Sequence, residues 1–290
     1  MLGFAGYEAS LDYARTRPQG RPSGPGGKDA TQPQVPIIQH ADIKRMLLAQ
    51  KSYCEGALAL ELYCARLVDE LHSGEAPAAK DAGLLLEMLT PIAKSWPSEW
   101  CLEANSMAIQ VLGGYGYTRD FPVEQYWRDN RLNMIHEGTH GIQALDLLGR
   151  KVVMQGGAGL ALLAGRVQAT IRIASLEPAL ADHAKALAAA LEHVGTATRA
   201  AWATGDPIEA LANATPYLQA FGHTVLAWIW LDVALCAHAK LGQGADVASM
   251  RGKLAACRYF FHYELPRIAA WLRVVETRDD TCRTMAEEFF

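Results

Sequence analysis

A chain of 290 residues is long enough to bury a substantial core, in one large domain or two smaller ones. Half of it is hydrophobic and 20% is charged, an ordinary globular balance. A net charge of -4 and a pI near 6.1 give no electrostatic reason to expect nucleic acid as a partner.

Residues 1–17 have helical spacing, with Phe4, Tyr7, Leu11 and Ala14 on one face. No capping residue precedes this run, so the chain reads as beginning inside a helix, with further sequence upstream. Residues 18–36 are rich in glycine and proline and read as a partly mobile loop. A long helix follows from Ile43 to about Leu71, with Ile43, Met46, Leu47, Cys54, Leu58, Leu62 and Leu71 available for burial. Residues 78–112 form a second long helix, which Pro91 and Pro97 should bend or divide. Gly113 and Gly114 stop it. A short helix starts near Pro122 and ends before the connecting segment 133–139, and another runs from about Gly141 to Val153.

After the flexible segment 155–159, the pattern gives helices at about 159–174, 177–203, 207–241 and 246–276. No alternating run of β-branched residues is bounded by turns, so strand signals are almost absent. The expected fold is all-α: an up-and-down helical bundle over residues 1–155, followed by a second helical unit over 156–290.

The six cysteines, Cys54, Cys64, Cys101, Cys236, Cys257 and Cys282, form no CxxC pair and no Cys/His cluster with zinc spacing. No metal site is expected, and the thiols read as reduced and mostly buried in a cytoplasmic protein. The first fifteen residues lack a basic leader pattern and meet Glu8 and Asp12 early. The longest run without a formal charge, Ala210 to Leu231, contains Asn213, Pro216, Gln219 and His223, so it reads as a buried helix and not a membrane span.

The stretch that carries chemistry is residues 110–148, QVLGGYGYTRDFPVEQYWRDNRLNMIHEGTHGIQALDLL. A lone carboxylate, Glu137, is followed by Gly138 and Thr139 just before an amphipathic helix. Gly138 permits unusual backbone angles and close approach of a ligand. Amides at the following helix start would favour a negatively polarised oxygen. These features suit a base beside a carbonyl substrate, but on spacing alone the preferred reading of Glu137 and Thr139 is a helix cap.

This run closely resembles the signature of the acyl-CoA dehydrogenases, in which a Q-x-x-G-G-x-G-Y turn precedes a Pro-led R-D helix and an E-G-T-x-x-I-Q base motif. The segment from Tyr13 to Arg21 resembles the family's arginine-containing loop, and Pro36 to Leu47 resembles the start of its next helix. The tail from about 176 to 275 is similar to the extra helical domain of a bacterial-type subgroup.

The resemblance implies FAD as cofactor and an acyl-CoA thioester as substrate. It makes Glu137 the base that takes the α-proton while a hydride leaves the β-carbon, giving a 2-enoyl-CoA, with the thioester oxygen polarised as in an oxyanion hole. Thr139, His140 and Gly141 match FAD-contacting positions, and Gly138 would lie beside the thioester. Gln110, Gly113 and Gly114 match the turn that touches a neighbouring subunit's FAD, and Arg17 an arginine that pairs with its pyrophosphate. An electron-transfer flavoprotein as electron acceptor and a homodimer or homotetramer are implied as partners.

Departures from the family pattern are His136 in place of a common tyrosine, His140 in place of a small polar residue, and an arginine loop without its usual aromatic. The family also carries an N-terminal helical domain and a β-domain ahead of this region, and nothing in these residues resembles them. Two rival readings follow: a non-catalytic helical interaction module or inactive gene fragment, and an acyl-CoA oxidase that passes electrons to oxygen. Elsewhere the bland reading is preferred. Glu103, Asp120, Glu124 and Asp129 read as solvated helix charges, Tyr217, Trp228 and Trp230 as packing, and Ser10, Ser52 and Ser106 lack a nucleophile context.

Overall fold

The computed structural model describes every residue except Pro25, Gly26, Glu137, Gly242, Gly244 and Ala245. Among the described residues the regular structure is helical, apart from a two-residue strand pair, Ser23–Gly24 (β1) with Gly27–Lys28 (β2). The expected all-α fold is borne out. It comprises two compact units, Met1–Glu55 with Pro97–His136, and Gly56–Trp96 with Glu137–Phe290.

The first unit contains α1 (Leu2–Thr16), the opening part of α2 (Ala41–Ser73), the closing part of α3 (Ala76–Leu112) and α4 (Val123–Asn130). Its core joins Ala14, Ile37, Met46, Leu47, Val111 and Val123. The buried face of α1 is Gly3, Gly6, Ser10 and Ala14; of the expected stripe only Ala14 belongs to it, while Phe4, Tyr7 and Leu11 stay half-buried. Small side chains let the α1 backbone sit close to its neighbours: a Cβ on Gly6 would lie 2.3 Å from Asn105 Nδ2.

Asn105 is fully buried and hydrogen-bonded on both sides. Its Nδ2 donates to Leu2 O at 3.0 Å, and its Oδ1 accepts from Asn130 Nδ2 at 2.7 Å. Ser10 Oγ donates to Gln50 Oε1 at 3.0 Å beside this pair. The face of α1 is therefore matched by hydrogen bonds as well as by shape.

The second unit contains the remaining parts of α2 and α3, then α5 (His140–Asp146), α6 (Ala158–Ala174), α7 (Ala181–Ala201), α8 (Pro207–Leu211), α9 (Ala214–Leu241), α10 (Val247–Tyr259), α11 (Ile268–Glu276) and α12 (Thr281–Thr284). Helix α9 is its hub, packing against α5, α6, α7, α10 and α11. It is long and apolar enough to cross a bilayer, and 78% of its most apolar window is buried within the protein.

Several boundaries differ from expectation. Pro91 and Pro97 do not divide α3, which runs unbroken from Ala76 to Leu112. A proline inside a helix costs about 3 kcal/mol, and burial of Met88, Leu89, Ile92 and Trp96 beside these positions is large enough to offset it. The division between compact units does fall at Trp96/Pro97. The expected helix over 207–241 is broken after Leu211, where Asn213 Nδ2 donates to Asp279 O at 2.8 Å and Pro216 sits in the first turn of α9.

The expected helix over 246–276 passes through a π turn, Phe260–Glu264, and a tight turn at Leu265–Arg267, where Pro266 has no amide hydrogen to donate. Leu58, Leu62 and Leu71 of α2 are exposed, because spacing defines a face without supplying the neighbour that covers it. Of the cysteines, all free, Cys54, Cys64 and Cys257 are buried, Cys101 is half-buried, and Cys236 and Cys282 are exposed.

The π turn delivers Glu264 into a buried cluster. Glu264 Oε1 accepts from Tyr259 Oη at 3.0 Å, and its Oε2 lies 3.2 Å from Arg267 Nη1 and 3.9 Å from His223 Nε2. His223 Nδ1 lies 3.1 Å from Trp96 Nε1 and 3.1 Å from the Gln219 carbonyl oxygen, contacts that call for opposite ring tautomers. Burial pushes the His223 ring below the usual histidine value of 6.5, and the Glu264 carboxylate offsets this in part.

Two outcomes are expected. Gly6→Ala should force Asn105 out of its hydrogen bonds and lower stability by about 1–3 kcal/mol in denaturant titration. A variant as stable as the parent would show that α1 tolerates displacement. The second concerns pH. Below the unfolded-state value of 6.5, the unfolded chain takes up a proton that the buried ring refuses. The stability due to His223 is therefore complete above that value and falls as pH drops through it. The thermal midpoint should decline below pH 6.5, and His223→Gln should flatten that slope; identical slopes would remove the ring from the account.

Candidate functional site

The expected site residues fall into two sets, one in each compact unit. The first is built on the arm that follows α1. Arg17 caps α1 in extended conformation, and Ile37 N donates to Arg17 O at 2.9 Å. Gln19 N donates to Val35 O at 3.0 Å, and Val35 N donates to Gly20 O at 3.1 Å. These bonds and the Pro18–Pro36 bridge close the base of the segment expected to be a partly mobile loop. The reason is local: the prolines bias their neighbours to extended backbone, and the amides between them pair across the arm.

Arg17 is half-buried. Its Nε is enclosed and has no hydrogen-bond partner among the described residues, and its guanidinium carbon lies 5.5 Å from the centroid of Tyr115. Tyr115 rests on Phe121, with ring centroids 5.8 Å apart, and Phe121 on Tyr13, at 5.6 Å. The guanidinium thus gains a cation–π contact on one face while its donor edge stays uncommitted.

Beside the arm lies a cleft of about 490 Å³. Gln19, Gly20, Arg21 and His40 form one wall, and Gln110 and Gly113, from the end of α3, form part of the other. Its lining includes the apolar Ile37, Ile43 and Val111, and among the described residues no carboxylate lines it. Gly113 has φ +62, the left-handed conformation that ends α3, and a Cβ there would meet nothing within 4 Å. The cleft therefore unites Gln110 and Gly113. Arg17 lies at the base of the same arm without lining the cleft, and Gly114 is exposed beyond it.

The second set follows position 137. Glu137, the expected base, lies outside the described residues. Gly138 has φ +105, a conformation that L side chains rarely adopt, and a Cβ there would come 3.3 Å from Gln143 Nε2 and 3.4 Å from Ile142 Cγ2. Thr139 occupies the N-cap of α5 with extended backbone, and Gln143 N donates to its carbonyl at 3.1 Å. Its side chain makes no capping hydrogen bond, so the cap reading holds for position and not for the hydroxyl. His140 and Gly141 are half-buried in the first turn, and His136 is exposed.

Sequence reasoning missed His40, Tyr115 and the buried Gln143. The only signal for Gln143 was its place in the E-G-T-x-x-I-Q pattern; His40 and Tyr115 had none. Among the described residues no three His, Cys, Asp or Glu side chains converge as a metal site would require.

Comparison with known proteins covers both segments. Residues 28–153 match the model of the acyl-CoA dehydrogenase C-terminal domain, and residues 163–286 match a domain described as acetyl-CoA dehydrogenase C-terminal like. The chain belongs to the acyl-CoA dehydrogenase family. It is 35% identical to 3-methylmercaptopropionyl-CoA dehydrogenase of Ruegeria pomeroyi, over 94% of this chain and 46% of that protein. It is 32% identical to a broad-specificity linear acyl-CoA dehydrogenase of Mycobacterium tuberculosis, over 98% of this chain and 49% of that protein.

A solved acyl-CoA dehydrogenase from Bacillus anthracis, complexed with FAD, superposes with a TM-score of 0.71 at 19% identity, over 94% of this chain and 46% of that one, and shares the fold. The chain spans about half the length of the curated relatives it matches. Within the family frame, the two glycines of the second set separate cleanly. Gly138→Ala should lower stability by about 1–3 kcal/mol, because its backbone is strained for any side chain. Gly141→Ala should be neutral or stabilising, since a Cβ there meets only Thr139 Oγ1, at 3.8 Å. Equal thermal midpoints for the two variants would contradict this.

Proposed function

We propose that the chain is the base-bearing helical part of an FAD-dependent acyl-CoA dehydrogenase, with Glu137 as the residue that takes the α-proton of an acyl-CoA thioester. The observation that carries this reading is the family match over residues 28–153, which includes the Glu137-Gly138-Thr139 unit. FAD, when bound, supplies the acceptor for the hydride that leaves the β-carbon. The residues fit a phosphate-bearing dinucleotide: an enclosed Arg17 Nε, and a cleft lined by Arg21 and His40, the first without a partner and the second without a carboxylate among the described residues. In this reading Arg17, Gln110, Gly113 and Gly114 would hold the phosphate-bearing half of a neighbouring subunit's FAD, and Thr139, His140 and Gly141 would contact FAD at the positions that follow the base.

In this reading the carboxylate of Glu137 holds the proton lost from the α-carbon. Gly138, lacking a side chain, leaves the thioester room, and the Glu137 backbone N–H donates to the thioester oxygen as charge develops there. The 2-enoyl-CoA product follows from loss of the proton and the hydride together. The names of the curated relatives are dehydrogenase names, which supports an electron-transfer flavoprotein as acceptor over oxygen. The two matched segments support a functional division near residue 155. A homodimer or homotetramer in the cytoplasm completes the proposal.

The test is turnover of an acyl-CoA series with added FAD and a dye acceptor, read as enoyl-CoA formation. Glu137→Gln should lower the rate by about 10²–10⁴-fold, the usual contribution of a positioned base. A chain that retains no flavin and dehydrogenates no acyl-CoA would favour the non-catalytic module. Peroxide release during turnover would favour the oxidase, and full activity in Glu137→Gln would remove that residue from the role.

A further inference from the structure

We propose that His40 is a positioning residue that fixes the Arg17–Arg21 arm against the end of α3 and thereby sets the affinity of the cleft for the phosphate-bearing half of FAD; this rests on the functional reading above. Besides Arg17 N, which donates to Tyr13 O at 2.9 Å at the end of α1, the chain from Arg17 to Gly20 is held at four backbone groups. Three bond to backbone across the arm: Arg17 O with Ile37 N, Gln19 N with Val35 O, and Gly20 O with Val35 N. The fourth, the Gln19 carbonyl, is held by a side chain, His40 Nε2, at 2.7 Å. A carbonyl only accepts, so Nε2 carries the hydrogen and donates it.

The ring reaches that carbonyl because Gly20 makes room. Gly20 has φ +71, and a Cβ there would lie 3.1 Å from His40 Nε2 and 3.3 Å from its Cε1. His40 is itself fixed from below, since its amide donates to Ile37 O at 3.0 Å at the start of α2. The ring thus ties the arm to the helix that begins the next structural element. Gln19, Gly20, Arg21 and His40 all line the cleft opposite Gln110 and Gly113. Loss of this one bond frees the Gln19–Gly20 peptide, and with it the direction of the side chains on either side, while leaving the backbone ladder in place. Nothing in the proton-transfer chemistry involves His40: it acts through Gln19 and its neighbours.

The experiment is equilibrium titration of the chain with FAD and, separately, with ADP, for the parent, His40→Ala, His40→Gln and Gly20→Ala. His40→Ala should bind both ligands roughly tenfold more weakly, the effect of losing one hydrogen-bond anchor. His40→Gln keeps an N–H donor and should recover most of the loss. Gly20→Ala, which pushes the ring off the carbonyl, should match His40→Ala. Hydrogen exchange at the amides of residues 19–21 should quicken in His40→Ala, with the thermal midpoint of the ligand-free protein close to the parent. FAD binding by His40→Ala at parental strength, or a His40→Gln variant as weak as His40→Ala, would overturn the role of His40. A parent that binds neither ligand would instead overturn the reading of the cleft, and this role with it.

Discussion

Helices in this protein approach one another at distances that a Cβ would forbid, and most of its architecture follows from that constraint. In the first unit, Gly6 seats α1 on Asn105. In the second, a Cβ on Gly56 would lie 2.7 Å from Trp230 Nε1, and one on Gly222 would lie 2.8 Å from Trp96 Cδ1. Glycine weakens a helix by roughly 0.5–1 kcal/mol relative to alanine. Its use here gives that up in exchange for contact between backbone and a rigid indole ring. Each indole then buries a large apolar area with its N–H end inside the protein, so position and orientation are specified together.

The same economy governs the polar interior. Asn105, His223 and Glu264 are fully buried, and each meets its partners only because a local irregularity or a small neighbour allows it. The π turn at Phe260–Glu264 rotates Glu264 inward to Tyr259 and Arg267, where a regular helix would have placed the next residues out of register. Such networks stabilise little when complete and cost much when broken, so they select one arrangement of α9 against the segment from α10 to α11 over near alternatives.

The residues proposed for function are treated differently. They sit where helices end and not where they pack. Gly113 terminates α3, Gly138 precedes α5, and the arm from Arg17 to Ile37 joins α1 to α2. Rigid helices on either side hold these short segments in conformations that place backbone amides, a guanidinium and amide side chains along open surfaces. The proposed chemistry needs such an arrangement, because a cofactor with phosphates requires unfilled donors at fixed positions, and a thioester beside a base requires a position without a side chain.

The sequence by itself determined the all-α class, most of the long helices, the stop at Gly113, and the family, because these depend on local spacing, on residues that end helices and on one long motif. It misjudged the buried face of α1, since glycine and serine carry no hydrophobic signal although they pack most closely. It also left open whether Pro91 and Pro97 bend or divide α3, which is not divided, since a proline's local penalty says nothing of the burial that offsets it. Only the tertiary structure decided that Gln110 and Gly113 share a cleft with Arg21 and His40. The partners come from three separate stretches of chain, and no spacing along the sequence records which of them meet once the helices have packed.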